Sequence, residues 1–211
     1  MTGASAILIV AALLAAVTDW IAAATSRRRL EYVAKPAVMV ALIALAVALR
    51  PAEPTERIFF VVALAFGLLS DVFLMLPQDL FLFGLGAALV EHLAYIAGFR
   101  TRELHVSWLA VALVIALVST AAIFPSIYRS LRAKQPRLVG PVIAYLAVFV
   151  VMVASAAGTG SLAAFAGALL FFFSDAILAW NRFVKPLPYG RVANIVPYHV
   201  GEALLVLSLV M

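Results

Sequence analysis

The sequence predicts an all-α integral membrane protein with about eight transmembrane helices. Hydrophobic residues make up 66% of the 211 residues and charged residues only 12%, whereas soluble domains are roughly 45–50% apolar. The apolar residues form runs close to the ~20 residues that a helix needs to cross a bilayer. Basic residues lie mostly in the short connections between runs, so the net charge of +5 indicates membrane-flanking charges and argues against a nucleic-acid partner.

Eight apolar runs correspond to predicted helices. They lie near residues 4–24, 36–49, 58–76, 80–99, 107–124, 139–157, 161–180 and 192–210. Helix-breaking residues such as Pro77, Pro125 and Gly160 separate neighbouring runs. No connection is long enough to fold by itself, so residues 1–211 are predicted to form a single transmembrane helical domain.

The distribution of basic residues predicts the orientation in the membrane. Connections 25–35, 125–138 and 181–191 hold eleven of the 15 Lys and Arg residues, and connections 50–57 and 100–106 on the opposite side hold four. Positively charged connections remain preferentially in the cytoplasm. Both termini are therefore predicted to lie outside the cytoplasm.

Two aspartates, Asp71 and Asp175, each follow a serine within an apolar run. A carboxylate at such depth costs roughly 2.5–3.5 kcal/mol on insertion scales, which favours a functional role. Aligning the two Ser-Asp pairs predicts a weak parallel repeat of four plus four helices. With a rise of about 1.5 Å per residue, Asp71 lies about 20 Å along a helix that begins near Ile58, and Asp175 lies similarly far from Ser161. Both carboxyl groups are thus expected at one depth, in the cytoplasmic half of the membrane.

Other polar residues recur at helical spacing in two further helices. These are Glu91, His92 and Tyr95 in the fourth helix, and Asn194, Tyr198, His199 and Glu202 in the eighth. Lys35 and Pro36 open the predicted second helix, where proline suits the first turn and lysine can extend towards the interface. Asn181 lies at the cytoplasmic end of the seventh helix.

Two buried carboxyl groups in a low-dielectric site tend to share one proton. Such a pair supplies an acid and a base at neutral pH. This chemistry suits hydrolysis, and it equally suits proton-coupled transport. No His-Glu-x-x-His pattern or comparable ligand spacing predicts a metal site, and no glycine-rich phosphate loop predicts a nucleotide site. The sequence contains no cysteine, so thiol chemistry is excluded and no cofactor is expected.

Several short segments, taken in order and spacing, resemble a known family. They are Lys35-Pro36, Asp71 to Pro77, Glu91 to Tyr95, Gly167 to Phe171 leading into Ser174-Asp175, and Tyr198. Together they resemble the YhhN-like lysoplasmalogenase family over helices two to eight. The chain departs from the family pattern at Ser70, where glycine is common, at Glu91, where a small residue is usual, and at Glu202, where an amide is usual.

The resemblance implies hydrolysis of the vinyl ether bond of a lysoplasmalogen, the alkenyl form of glycerophosphoethanolamine or glycerophosphocholine. The products are a fatty aldehyde and a glycerophospho-head-group compound. The implied partners are a single-chain lysophospholipid and the membrane lipid around it, and the expected location is a bacterial cytoplasmic membrane. A vinyl ether is cleaved after protonation at carbon and capture of the cation by water, so carboxyl groups suffice without a metal or organic cofactor, as in paired-carboxylate glycosidases.

On this basis Asp71 and Asp175 are the expected catalytic residues, with Asp71 as the acid and Asp175 stabilising the cation and orienting water. His92, Tyr95, Tyr198 and His199 are expected to position these groups, and Lys35 to meet the lipid phosphate. Glu91 and Glu202 either take part or hydrogen-bond His92 and His199, and Asn181 is a further supporting residue. The lipid tail is expected among Phe171, Phe172 and leucines of helices three and seven.

Two other functions remain open from the sequence. A proton-coupled transporter or lipid carrier also uses intramembrane acids and repeated helices. An intramembrane aspartyl protease likewise places two aspartates on separate helices. That second alternative is less favoured, because Leu69-Ser70 and Phe173-Ser174 stand where a Gly-x-Gly context is expected.

Overall fold

The computed structural model describes residues 3–211, and these residues contain eight helices long and apolar enough to cross a membrane. The helices are α1 (Gly3–Ala24), α2 (Arg28–Ala48), α3 (Pro54–Met75), α4 (Phe81–Phe99), α5 (Val106–Lys134), α6 (Val139–Gly158), α7 (Leu162–Ala179) and α8 (Gly190–Leu207). A π-helical turn, Trp180–Val184, extends α7, and short 3-10 turns, Pro136–Leu138 and Ser208–Val210, flank α6 and α8. The prediction of an all-α, multi-pass membrane protein is confirmed.

The second helix begins at Arg28, eight residues earlier than predicted, so Pro36 lies inside it. The polar residues before Pro36 are compatible with a helix, and Glu31 in the first turn interacts favourably with the helix dipole. Proline removes one backbone hydrogen bond, which a packed transmembrane helix tolerates. Lys35 consequently projects from a regular helix and does not open it.

The fifth helix is longer than predicted, because Pro125 does not end it and the helix continues to Lys134. The added turns pack Ile127 and Leu131 against Phe183 of the π-helical turn. Ser130 also donates a hydrogen bond to the Phe183 carbonyl, and the basic residues of the last turn suit the negative end of the helix dipole. Tertiary packing therefore outweighs the proline.

Neighbouring helices in the sequence pack most extensively as pairs: α1 with α2, α3 with α4, α5 with α6, and α7 with α8. Small residues permit close approach within these pairs. In α7 and α8, a Cβ atom at Gly167 would lie 2.8 Å from the carbonyl oxygen of Gly201, and one at Gly201 equally close to that of Gly167. The backbones of α7 and α8 therefore meet directly at this point.

The two Ser-Asp pairs have similar surroundings. Ser70 Oγ in α3 donates to the Gly84 carbonyl of α4, and Ser174 Oγ in α7 donates to the Asn194 carbonyl of α8, each over 2.9 Å. In both cases the serine joins its helix to the next helix in the sequence. The predicted four-plus-four repeat agrees with this likeness and stays a prediction.

Candidate active site

A central cavity of about 180 Å³ lies among six helices, α2, α3, α4, α6, α7 and α8. Both predicted catalytic residues, Asp71 and Asp175, line it. Its other polar lining residues are Lys35, Ser70, Glu91, Tyr145, Ser174, Asn194 and Tyr198. The aspartates, 104 positions apart in the sequence, therefore share one chamber.

Asp71 is held as half of an ion pair. Lys35 Nζ lies 2.6 Å from Asp71 Oδ1, and the Tyr198 hydroxyl donates to Asp71 Oδ2 over 2.9 Å. The Lys35 ammonium also lies 5.1 Å from the centre of the Tyr198 ring, within range for a cation–π contact. Because Asp71 is only 3% exposed, a nearby ammonium is the main compensation for a negative charge there.

Asp175 has a different set of neighbours. Tyr145 donates its hydroxyl to Asp175 Oδ2, and His92 Nε2 lies 2.8 Å from the same hydroxyl oxygen. His92 is fully buried, whereas Asp175 is half-buried at the cavity wall. Asp175, Tyr145 and His92 thus form a hydrogen-bonded chain from the cavity into the core of the bundle.

A second carboxyl pair lies next to the central cavity. Glu91 lines the cavity, and the nearby Glu202 interacts with it electrostatically. The Tyr95 hydroxyl donates to Glu202 Oε2 over 2.5 Å. Glu91, Tyr95 and Glu202 are therefore brought together as one buried cluster.

Five predicted supporting residues do not line the central cavity: His92, Tyr95, Asn181, His199 and Glu202. His199 Nδ1 accepts a hydrogen bond of 3.2 Å from Trp20 Nε1, on the side of α8 that faces α1. Asn181 Oδ1 accepts from the Leu187 backbone N–H over 2.9 Å and so holds the connection between α7 and α8. The hydrogen-bond partners of His92 and His199 are thus Tyr145 and Trp20, and Glu202 accepts from Tyr95.

Tyr145 is a site residue that the sequence analysis missed. It is the only tyrosine in the apolar helix α6 (Val139–Gly158), and a phenol inside such a helix is a detectable signal. Asn194 was noticed only as part of a polar stripe. Its Nδ2 donates to the carbonyl and the Oγ of Ser174, over 2.9 and 2.8 Å, and so fixes the turn that carries Asp175.

Two further cavities adjoin the central cavity. The vestibule, of about 230 Å³, is polar and is lined by Asp19, Arg28, Glu31, Tyr32, Lys35, Arg191 and Asn194 together with apolar residues. The apolar pocket, of about 70 Å³, lies among α5, α6 and α7. Lys35 and Asn194 line both the vestibule and the central cavity, and Tyr145 and Asp175 line both the central cavity and the apolar pocket.

This arrangement offers acid–base chemistry between a polar and an apolar chamber. One carboxyl group is paired with an ammonium, and the other is connected to a phenol and an imidazole, so the two are suited to different roles in proton transfer. Among residues 3–211, no group of three or more His, Asp or Glu side chains is arranged to hold a metal ion.

Comparisons with known proteins identify relatives of this chain. It is 32% identical to lysoplasmalogenase TMEM86B of Rattus norvegicus over 146 residues, covering 69% of the chain and 59% of that protein. It is 31% identical to lysoplasmalogenase TMEM86B of Homo sapiens, covering 69% of the chain and 61% of that protein. Lysoplasmalogenase TMEM86A of Homo sapiens is 32% identical over 167 residues, covering 75% of the chain and 68% of that protein.

The chain thus spans only 59% and 61% of the length of the two TMEM86B relatives. No solved structure matches it. The model of the YhhN family matches residues 30–209, which include both aspartates and every other residue that lines the central cavity. On this match over most of its length, the chain belongs to the YhhN family.

Proposed function

We propose that the chain is a membrane-embedded lysoplasmalogenase, a hydrolase that cleaves the vinyl ether bond of a lysoplasmalogen to a fatty aldehyde and a glycerophospho-head-group product. One observation carries this proposal: Asp175 lines both the central cavity and the apolar pocket, but it does not line the polar vestibule. A lysoplasmalogen matches this arrangement of polar and apolar cavities, because its vinyl ether bond lies between a polar head group and an apolar tail. The names of the relatives support the same activity.

We assign the acid to Asp175 and the stabilising carboxylate to Asp71, the reverse of the expectation from the sequence. Lys35 at 2.6 Å favours a negative charge on Asp71, so Asp71 suits stabilisation of a developing cation. Asp175 has a phenol as its hydrogen-bond partner. A protonated Asp175 donates its proton to the vinyl carbon that is not bonded to oxygen, leaving an oxocarbenium ion beside the Asp71 carboxylate.

Water then adds to the carbon bonded to oxygen, and its proton passes to the Asp175 carboxylate. The resulting hemiacetal loses its hydroxyl proton as its bond to the glycerol oxygen breaks, and that oxygen takes up a proton. One water molecule is consumed, and Asp175 ends in its starting protonation state. Tyr145 and His92 orient Asp175 through this cycle, and Tyr198 orients Asp71.

The expected placement of the substrate follows from the three cavities. The head group occupies the vestibule, the vinyl ether the central cavity, and the tail extends through the apolar pocket, where Phe149 and Phe172 line the wall. The vestibule lies beside Arg28 and Arg191, at the ends of α2 and α8 that the positive-inside rule assigns to the cytoplasm. A bacterial cytoplasmic membrane, with both termini outside the cytoplasm, fits this placement.

The test is release of free aldehyde from lysoplasmenyl lipid by purified protein in detergent. Asp175→Asn and Asp71→Asn are each expected to lower kcat by about 10²–10⁴-fold, the usual contribution of a positioned acid or base. Asp79→Asn is the matched control, because Asp79 is an exposed residue that pairs with Arg182 and lines none of the three cavities. Full activity in both folded site variants contradicts the assignment.

Proton-coupled transport or lipid carriage is the second candidate function. The buried residues Glu91 and Glu202 favour it, because the proposed hydrolysis uses neither of them and proton carriers rely on buried acids. Flux of substrate or protons into proteoliposomes without aldehyde formation would favour transport over hydrolysis.

A further inference from the structure

The vestibule contains charged groups that the hydrolytic steps do not use. Arg28 and Arg191 supply positive charge, and Asp19 and Glu31 supply negative charge. Arg191 of α8 forms an ion pair with Glu31 of α2. A chamber with both signs of charge, next to a site for a lipid bond, is complementary to a zwitterion and less so to a purely anionic head group.

Asp19 is the unusual member of this set. It lies in α1 and is only 1% exposed, and its Oδ2 is 3.9 Å from His199 Nε2. Its Oδ1 is buried and has no hydrogen-bond donor in the described part of the chain. A buried acceptor left without a donor is costly, and such groups in native proteins call for an explanation. A ligand that donates an N–H bond would satisfy Asp19.

We propose that the vestibule binds a glycerophosphoethanolamine head group and that Asp19 selects its primary ammonium. The phosphate oxygens meet Arg28 and Arg191, because guanidinium groups match phosphate geometry. The ammonium meets Asp19, where its N–H groups reach the acceptor that the protein leaves free. The identity of the lipid in this inference rests on the proposed function, whereas the preference for ethanolamine over choline rests on the vestibule alone.

A choline head group fits Asp19 less well for two reasons. Its trimethylammonium carries no N–H donor, so the Asp19 acceptor stays unsatisfied when choline binds. It is also bulkier, whereas Asp19 is almost completely enclosed. A site built to hydrogen-bond a substrate rejects an analogue that lacks the donor. Asp19 is therefore a specificity-determining residue and takes no part in bond cleavage.

The test measures binding separately from catalysis. Non-cleavable alkyl ether lysolipids of equal chain length, one with ethanolamine and one with choline, are titrated against the wild-type protein in detergent. We expect the ethanolamine lipid to bind about tenfold more tightly, the effect of one charge-assisted hydrogen bond. In Asp19→Asn the ratio of the two Kd values is expected to fall close to one, and in the control Asp79→Asn it is expected to stay at the wild-type value.

A graded ligand series keeps the test valid if Asp19→Asn does not fold. Wild-type protein is titrated with ethanolamine, N-methyl, N,N-dimethyl and trimethyl head groups. The largest loss of affinity is expected at the last methyl group, which removes the last N–H donor. Equal affinity across the series, or an unchanged ratio in folded Asp19→Asn, overturns the inference.

The same variants distinguish the inference from the proposed function. If the ethanolamine preference appears in binding but neither vinyl ether lipid yields aldehyde, the head-group site is supported and the hydrolase function fails. If aldehyde is released with equal kcat/KM from both vinyl ether lipids, the hydrolase function is supported and Asp19 selection is overturned. If both the hydrolase function and the Asp19 selection hold, the choline vinyl ether lipid has a higher KM than the ethanolamine lipid in the wild-type protein. In Asp19→Asn the two KM values are then expected to be equal.

Discussion

Asp71 and Asp175 differ chiefly in their nearest partners. Asp71 faces the Lys35 ammonium at 2.6 Å, and Asp175 faces the Tyr145 phenol, which is uncharged and backed by His92. In the proposed mechanism the Lys35 ammonium favours the negative charge of Asp71, and Asp175 gives up a proton and takes it back. We therefore expect the two aspartates to take different roles, because neighbours of this kind separate the properties of paired carboxylates.

Removal of the Tyr145 hydroxyl tests the hydrogen-bonded chain. In Tyr145→Phe, Asp175 loses its donor and its connection to His92, so we expect kcat for aldehyde release to fall by about tenfold to a hundredfold with little change in KM. Stability is expected to change by only about 1 kcal/mol, the net value of one hydrogen bond. The pH profile of kcat is expected to shift as well, since the group that orients Asp175 is gone.

Tyr128→Phe is the matched control for this prediction. Tyr128 lies in α5, outside the central cavity, and contacts Phe124. Its variant is expected to keep the wild-type kcat and pH profile. An unchanged kcat and pH profile in folded Tyr145→Phe would show that Tyr145 has only a packing role.

At the scale of the helices, the site depends on how closely α7 and α8 approach. Gly167 and Gly201 bring the two backbones into contact. One turn from this contact, Tyr198 reaches across to Asp71, and Asn194 holds the turn that carries Asp175. Small residues at one crossing therefore set the positions of groups on both sides of the central cavity.

The substitution Gly201→Ala is expected to separate these helices. Its Cβ atom would lie 2.8 Å from the Gly167 carbonyl oxygen, so α8 must move. Overpacking of this kind costs about 1–3 kcal/mol, and we expect a lower melting temperature in detergent together with loss of aldehyde release.

Gly86→Ala is the control for this helix contact. Gly86 lies in α4, and a Cβ atom there meets nothing within 4 Å. The higher helix propensity of alanine is expected to stabilise this variant by up to about 1 kcal/mol. Equal melting temperatures for Gly201→Ala and Gly86→Ala would contradict the close-contact interpretation.

At the scale of the whole molecule, the vestibule opens on one side of the bundle. Arg28, Lys35 and Arg191 line it, and they belong to the connections and helix ends that are richest in basic residues. The positive-inside rule predicts that these groups lie on the cytoplasmic side. The head group of the substrate is then expected to enter from the cytoplasmic leaflet.

Cysteine labelling tests this orientation, because the chain contains no cysteine of its own. Glu53→Cys and Lys185→Cys each introduce one thiol at an exposed position in a connection, at opposite ends of the bundle. An impermeant maleimide is expected to label Glu53→Cys in intact cells and Lys185→Cys only after permeabilisation. The reverse pattern would place the vestibule outside the cytoplasm.

Several helix boundaries and side-chain partners could not be predicted from local sequence. From the sequence, Pro36 is predicted to begin a helix and Pro125 to end one, yet both lie inside helices. Packing against neighbouring helices stabilises the turns on either side of each proline. Tyr95 shares α4 with Glu91 and His92, but its hydroxyl donates to Glu202 in α8, a partner that the sequence did not indicate. Contacts of this kind depend on how each helix is rotated about its axis.

The sequence by itself determined the membrane class, the eight helices and the placement of Asp71 and Asp175, because hydropathy and the cost of a buried charge are local properties. Only the tertiary structure decided that Lys35 pairs with Asp71, that Tyr145 joins Asp175 to His92, and that Asp19 faces the vestibule. These contacts join residues far apart in the sequence. Helix rotation and crossing distance, set by packing across the whole bundle, determine which polar side chains meet.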